Sequence, residues 1–347
     1  ELSTARGAGA GAGTQTAAFF AGGAVPAVQT ATEEFTVPSG ALSIAQEGQV
    51  WYNTTTTVLK GYGASVPAGS WASAPSLNSG RPAATSTKNG TTTAALYCGG
   101  APAPTKNTEE YNGSTWSEEG DMNSASTNSR GGAGTQAAGI LGGGEPSTTD
   151  SETWDGTSWT AVNSITTARY AVGAFGTQGA AMLAGGRGPT DAGDDFSEEY
   201  DGTSWAEGND LINARRTYNC GAGVQTAGIM AGGGEPNLDY TEEYDGTSWT
   251  EVADLNTARM GAAMAGTQSL ALIFGGPNGP PYTAATEAWD GTSWSEVGDL
   301  SVGTGYLAGA GTAVAALAIG GASDGVPASG VTQEWGAIDA VKTFTAT

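Results

Sequence analysis

Histidine is missing from this chain of 347 residues altogether. Its absence removes Ser-His-Asp and Cys-His nucleophile systems, histidine metal sites and the usual general base. Cysteine is nearly missing too. Cys98 and Cys220 stand at different places in well-separated repeats, so a disulfide between them is not expected and they do not report the redox compartment. Basic residues are scarce, 12 against 35 acidic ones, for a net charge of −23. A surface of that sign repels phosphate backbones and anionic membranes, which argues against nucleic acid as a partner. No apolar run approaches the roughly 18 residues of a membrane span, and the N-terminus has no signal-peptide pattern, so membrane insertion is not expected. The chain starts at Glu1 rather than Met, inside repeat-like sequence, which reads as a processed or truncated start.

Glycine, by contrast, is abundant and periodic. Gly-Gly pairs recur at 22-23, 99-100, 142-143, 185-186, 232-233, 275-276 and 320-321, with second glycines 77, 43, 43, 47, 43 and 45 residues apart. Around each pair one phrase is rewritten. Ala258-Arg259 leads into a Gly/Ala-rich stretch, then Gly266-Thr267-Gln268, then the apolar run Leu270 to Phe274 and Gly275-Gly276. A variable loop follows, then Glu287-Ala288-Trp289-Asp290-Gly291-Thr292-Ser293-Trp294. The small-residue stretch suits an innermost strand where blades crowd an axis, and the apolar run suits a second strand ended by the glycines. Asp-Gly at 155-156, 201-202, 245-246 and 290-291 is a tight-hairpin signal between a third and a fourth strand. Four antiparallel strands per repeat, arranged radially, make an all-β propeller.

A Gly-Gly after an apolar strand, an aromatic several residues on, a Trp about six further and a later Arg resemble the kelch motif. With its Gly-Thr-Gln turns and Tyr-Asp-Gly-Thr-Ser-Trp phrases, the chain is similar to kelch-type repeat proteins of tailed bacteriophages, marine ones in particular. The segment Trp51-Tyr52-Asn53-Thr54 to Leu59-Lys60-Gly61-Tyr62 resembles a phrase of phage tail-fibre and other virion proteins.

Seven Gly-Gly pairs predict seven four-stranded blades in a single propeller over 1–347. Residues 36–71 are then an insertion in the first blade, and Val341 to Thr345 finish the last. The alternative is six blades from about residue 46, with the Trp51–Trp71 region closing the ring against Glu334-Trp335 and residues 1–36 ending a preceding propeller.

The repeated arginines (Arg6, Arg81, Arg130, Arg169, Arg215, Arg259) read as structural, paired with a repeated glutamate such as Glu34, Glu110 or Glu243. Trp116, Trp159, Trp205, Trp249 and Trp294 read as packing between blades. Glu110, Glu199, Glu243 and Glu287, like Asp121, Asp210, Asp254 and Asp299, recur with the fold, whereas a glycosidase carboxylate pair would be unique. No catalytic residue, metal or cofactor is therefore expected. The copper oxidases that share the kelch fold need histidine ligands. Asp191, Asp194 and Asp195 fall off the repeat. They read as a solvated loop, with oxygen ligation of Ca²⁺ as the alternative.

The loops after the Gly-Gly pairs differ from copy to copy, so the fold does not dictate them. All emerge on one face, and there the binding residues are expected: Pro146, Arg187, Asp191, Asp194, Asp195, Pro236, Asn237, Pro277, Asn278, Tyr282 and Asp324. Trp51, Tyr52, Leu59 and Tyr62 are the residues expected to dock on a particle. The resemblance implies a non-enzymatic protein of the virion surface, extracellular, a tail fibre or appendage. Its expected partners are other virion proteins, a host receptor or glycan, and in some assemblies further copies of itself. A purely structural capsid-decoration, tail-assembly or filament subunit is the alternative, and a secreted bacterial adhesin a third.

Overall fold

The stretch after each arginine has little but glycine and alanine to pack, and it forms the innermost strand of a four-stranded antiparallel blade. The computed structural model describes residues 68–337 apart from 128–129, 189–192, 235 and 277–280, and outside that span the backbone of six strands. The chain divides into two compact units, residues 66–338 and a second unit made of 1–65 with 339–347.

The larger unit is a propeller of six blades. In order from the axis outwards, blade 1 is Thr85–Ser86, Ala95–Cys98, Thr108–Tyr111 and Trp116–Glu118. Blade 2 is Gly131–Gly134, Gly139–Gly142, Ser151–Trp154 and Trp159–Val162. Blade 3 is Gly173–Thr177, Ala180–Ala184, Ser197–Tyr200 and Trp205–Glu207. Blade 4 is Gly221–Val224, Ala227–Gly233, Leu238–Tyr244 and Trp249–Glu251. Blade 5 is Ala263–Thr267, Leu270–Phe274, Thr286–Trp289 and Trp294–Glu296. Blade 6 is Ala308–Thr312, Ala315–Ile319, Thr332–Ala337 and, from far earlier in the chain, Gly69–Ala74.

The expectation of seven blades is thus replaced by the six-bladed alternative. Strand Gly69–Ala74 pairs along its whole length with Thr332–Ala337, placing Trp71 opposite Trp335. The Trp71 indole donates to Thr286 Oγ1 of blade 5 at 3.0 Å, as Trp159 donates to Thr108 of blade 1 and Trp294 to Thr241 of blade 4. Trp71 therefore fills the outer-strand tryptophan position of blade 6, which is complete without a seventh unit. Val341–Phe344 does not finish this blade. It pairs with Val58–Tyr62, which pairs in turn with Val50–Asn53. Ala10–Gly13, Ala17–Ala21 and Thr32–Thr36 form a further three-stranded sheet. Gly22-Gly23 lies outside the described residues.

Six apolar clusters hold the ring, one at each junction between consecutive blades. Leu317 and Ile319 of blade 6 meet Tyr97 and Trp116 of blade 1, and Phe175 and Met182 of blade 3 meet Tyr244 and Trp249 of blade 4. The inter-blade reading of the tryptophans holds. Burying side chains of this size stabilises by about 1.5–3 kcal/mol each relative to exposure.

The glutamine of the Gly-Thr-Gln turn adds a polar clamp that pattern reading takes for a turn residue alone. Gln178 Nε2 donates to the carbonyls of Gly139 and Trp154 in the preceding blade, and Gln225 and Gln268 repeat this one blade further each time.

Candidate functional site

Strands alternate in direction, so loops between second and third strands emerge on the same face as the connectors from each fourth strand to the next blade. The Gly-Gly pairs stitch that face together. Both glycines of each pair in the propeller have φ between 64° and 134°, a region that other residues enter at a cost. The second donates its N–H to the next blade's connector: Gly144 to Arg169, Gly186 to Arg215, Gly233 to Arg259 and Gly321 to Arg81. In blade 2 the pair in this conformation is Gly143-Gly144, not 142-143, because Gly142 is still paired within its strand.

Below the stitches lie five buried ion pairs. Arg81 meets Glu109 at 2.5 Å, Arg130 meets Glu152 at 2.8 Å and Arg169 meets Glu198 at 2.7 Å, and Arg215–Glu242 and Arg259–Glu287 are the same pair in blades 4 and 5. The structural reading of the arginines stands, but the register of their partners is corrected. They are Glu109 and Glu242, not Glu110 and Glu243, since adjacent strand residues face opposite ways. Glu287 belongs with Glu109, not with Glu110, and the side chain of Glu34 lies outside the described residues. Each paired glutamate also accepts backbone N–H groups from its connector, as Glu198 does from Thr166 and Thr167. The second glutamates latch blades together instead: Tyr111 donates to Glu334 at 3.0 Å, and Tyr244 donates to Glu199.

The expected binding residues on the variable face are only partly brought together. Tyr282 and Asp324, from the loops of blades 5 and 6, meet through the Tyr282 N–H and Asp324 Oδ1 at 3.3 Å. Arg187 bridges Tyr170 through the backbone, and its guanidinium lies 5.4 Å from the Tyr170 ring centre. Asp194 is half-buried, and burial pushes its carboxyl up against the opposing pull of Arg169. Asp195 holds the Leu211 N–H through its backbone carbonyl. Pro146 and Pro236 are exposed in separate loops, and Asn237, beside Pro236, is half-buried. Asp191, Pro277 and Asn278 lie outside the described residues. Trp51, Tyr52, Leu59 and Tyr62 sit on the paired strands Val50–Asn53 and Val58–Tyr62, and Trp51 is in register with Lys60. Among the described residues, no three His, Cys, Asp or Glu side chains are grouped to hold a metal ion.

Sequence reasoning missed the axis. Near it on this face, the rings of Tyr218 and Tyr306 meet edge to face, with centres 5.6 Å apart. Asn219 follows and spans the channel. Its Nδ2 donates to the carbonyls of Ala84 and Leu307, and its Oδ1 accepts from Thr85 Oγ1. Lys88, at the far end of the first strand of blade 1, reaches back along the channel, and its Nζ donates to the Asn219 carbonyl at 2.8 Å. Lys88 is 3% exposed, and burial pulls its pKa down to about 8. A signal was available: Lys88-Asn89-Gly90 stands where four other blades have Gly-Thr-Gln or Gly-Val-Gln. Cys98 and Cys220 are free and buried, as expected.

No protein-family model matches the chain, and no curated protein matches it. Among solved structures it is similar to that of YjhT, with a TM-score of 0.65 at 14% identity, covering 78% of this chain and 99% of that one. At that identity the likeness concerns the fold alone, and the fold is a kelch-like β-propeller.

Proposed function

We propose that the chain is a non-enzymatic adhesion and structural protein on the surface of a tailed-bacteriophage particle, and that the loop face of its propeller binds a host receptor or glycan. One observation carries the binding part: side chains that the repeat does not require are sorted to one face. Tyr170, Tyr218, Tyr240, Tyr282 and Tyr306 belong to its loops, connectors and strand ends, together with Lys106, Arg187 and Arg216. The opposite face is built from copies of Asp-Gly-Thr-Ser at 155–158, 201–204, 245–248 and 290–293. Tyrosine and arginine are the residue types in which binding energy concentrates, and the stitched Gly-Gly bases hold these loops on a rigid frame.

The lack of histidine and the engagement of Glu109, Glu152, Glu198, Glu242 and Glu287 in ion pairs support a role without catalysis. The particle assignment rests on the resemblance of the Trp51–Tyr62 phrase to virion proteins, and that segment is the proposed contact with them. The test is binding of the purified chain to a glycan array and to bacterial cells, against a variant with Tyr170, Tyr218 and Tyr306 changed to Ala. Binding by the parent that the variant loses supports the reading. A parent that binds nothing, and is found along a regular capsid or tube lattice in intact particles, returns the purely structural alternative.

A further inference from the structure

Five of the six buried arginines of the propeller, Arg81, Arg130, Arg169, Arg215 and Arg259, each face a glutamate, and Lys88 does not. Among the described residues no acidic side chain pairs with it, and its only hydrogen bond is to a backbone carbonyl. Two of its three ammonium hydrogens are thus left for something else. Asn219 offers no further relief, because its side-chain oxygen and nitrogen are already engaged with Thr85, Ala84 and Leu307. The titratable group acting on Lys88 is the Cys220 thiol, and burial raises that group to about 11, so it carries no charge near pH 7. Arg215 and Arg259, which lie near Cys220, are themselves neutralised by Glu242 and Glu287. A buried ammonium with no counter-charge is the arrangement that folded chains avoid.

The turn that carries Lys88 also departs from the repeat. The residue before the turn out of the innermost strand is glycine in the other five blades, Gly134, Gly176, Gly223, Gly266 and Gly311, all with positive φ. At this position of the repeat Lys88 is the residue with a side chain, and its neighbour Asn89 reaches across to donate to the Gly176 carbonyl at 2.8 Å.

We propose that the axial channel binds a small monovalent inorganic anion, of the chloride or bromide type, against the Lys88 ammonium. The anion takes the free ammonium hydrogens and supplies the counter-charge that glutamate supplies to those five arginines. The site is independent of what the loop face binds.

The test is thermal melting of the full chain at pH 7 in sodium chloride against sodium gluconate at matched ionic strength, with Lys88→Met and Lys88→Gly alongside. Lys88→Gly copies the residue of the other five blades and guards against a variant that fails to fold. A ligand of the folded state raises the melting temperature with the logarithm of its concentration. The parent is expected to show that rise with chloride and both variants to lose it. A bromide-soaked crystal is expected to show an anomalous peak within hydrogen-bonding reach of Nζ. A parent indifferent to chloride, or a variant that keeps the parent's chloride dependence, overturns the proposal. So does a parent whose stability climbs from pH 7 to pH 9 without chloride dependence, because that is the behaviour of an amine that stays neutral when buried.

Discussion

In blade 5, Arg259 is buried against Glu287, and that carboxylate also receives the N–H of Asn256 from the incoming connector. In blade 6 the same two positions hold Thr304 and Gln333, and the Gln333 oxygen receives the N–H of Ser301 at 2.8 Å. The capping bond survives where the charges do not. Glutamate in this repeat therefore has two separable tasks, holding the connector and neutralising the arginine. Where the cation is lost the anion is lost with it. Such coupled replacement marks a pair that serves the fold and not a ligand.

The largest expected effect breaks the comparison directly. Glu287→Ala leaves Arg259 buried without a counter-charge and should cost about 3–5 kcal/mol in urea denaturation. The double change Arg259→Thr with Glu287→Gln, which copies blade 6, should recover most of that loss. If single and double variants are equally unstable, the two blades do not solve one problem in two ways. Next in size is the outer tryptophan. Trp294→Ala in blade 5 should cost about 3–5 kcal/mol. Trp71→Ala, at a half-buried position in blade 6, should cost less, about 2 kcal/mol, measured in the same way.

A third difference appears in acid. Burial raises the Glu152 carboxyl, but Arg130 and Asn123 more than offset this and hold it below its ordinary value of 4.5. Its contribution is present above that pH and is lost as the pH falls through it. Gln333 cannot titrate, so Arg130→Thr with Glu152→Gln, which makes blade 2 resemble blade 6, should flatten the acid limb of a stability–pH curve. The smallest effect is expected at the loops. Asp324→Ala removes one long contact to Tyr282 and should change stability by less than about 0.5 kcal/mol, whatever it does to binding on a glycan array.

Much of this architecture is legible from local pattern. Asp-Gly hairpins, Gly-Gly pairs and the tryptophan spacing are set by neighbours in the chain, and each folds as its chemistry dictates. What escaped local reading depends on residues distant in sequence. Trp71 meets Trp335 only when the ring closes, and a count of glycine pairs holds no information about which segment supplies the last strand. The choice between Glu109 and Glu110 turns on which side of a strand faces the arginine, and two adjacent glutamates look alike in one dimension. Lys88 and Asn219 belong to opposite blades and meet only at the axis. On the loop face, Tyr282 and Asp324, which pattern reading assigns to two loops of one face, meet through a hydrogen bond. Pattern reading passed over Tyr218 and Tyr306, because they stand in connectors taken as part of the repeat.

The pairing of Gly69–Ala74 with Thr332–Ala337 has a mechanical consequence. Gly69 is opposite Ala337 and Ala74 is opposite Thr332, so the chain enters and leaves the propeller at the same end of one strand pair, about 5 Å apart. Once the pairing of Val58–Tyr62 with Val341–Phe344 has opened, tension applied through the flanking chain reaches the hydrogen bonds of this pair one after another, like a zipper opened from its end, and does not load them together in shear. The rest of the ring hangs beside the line of force and carries none of it until that zipper has run.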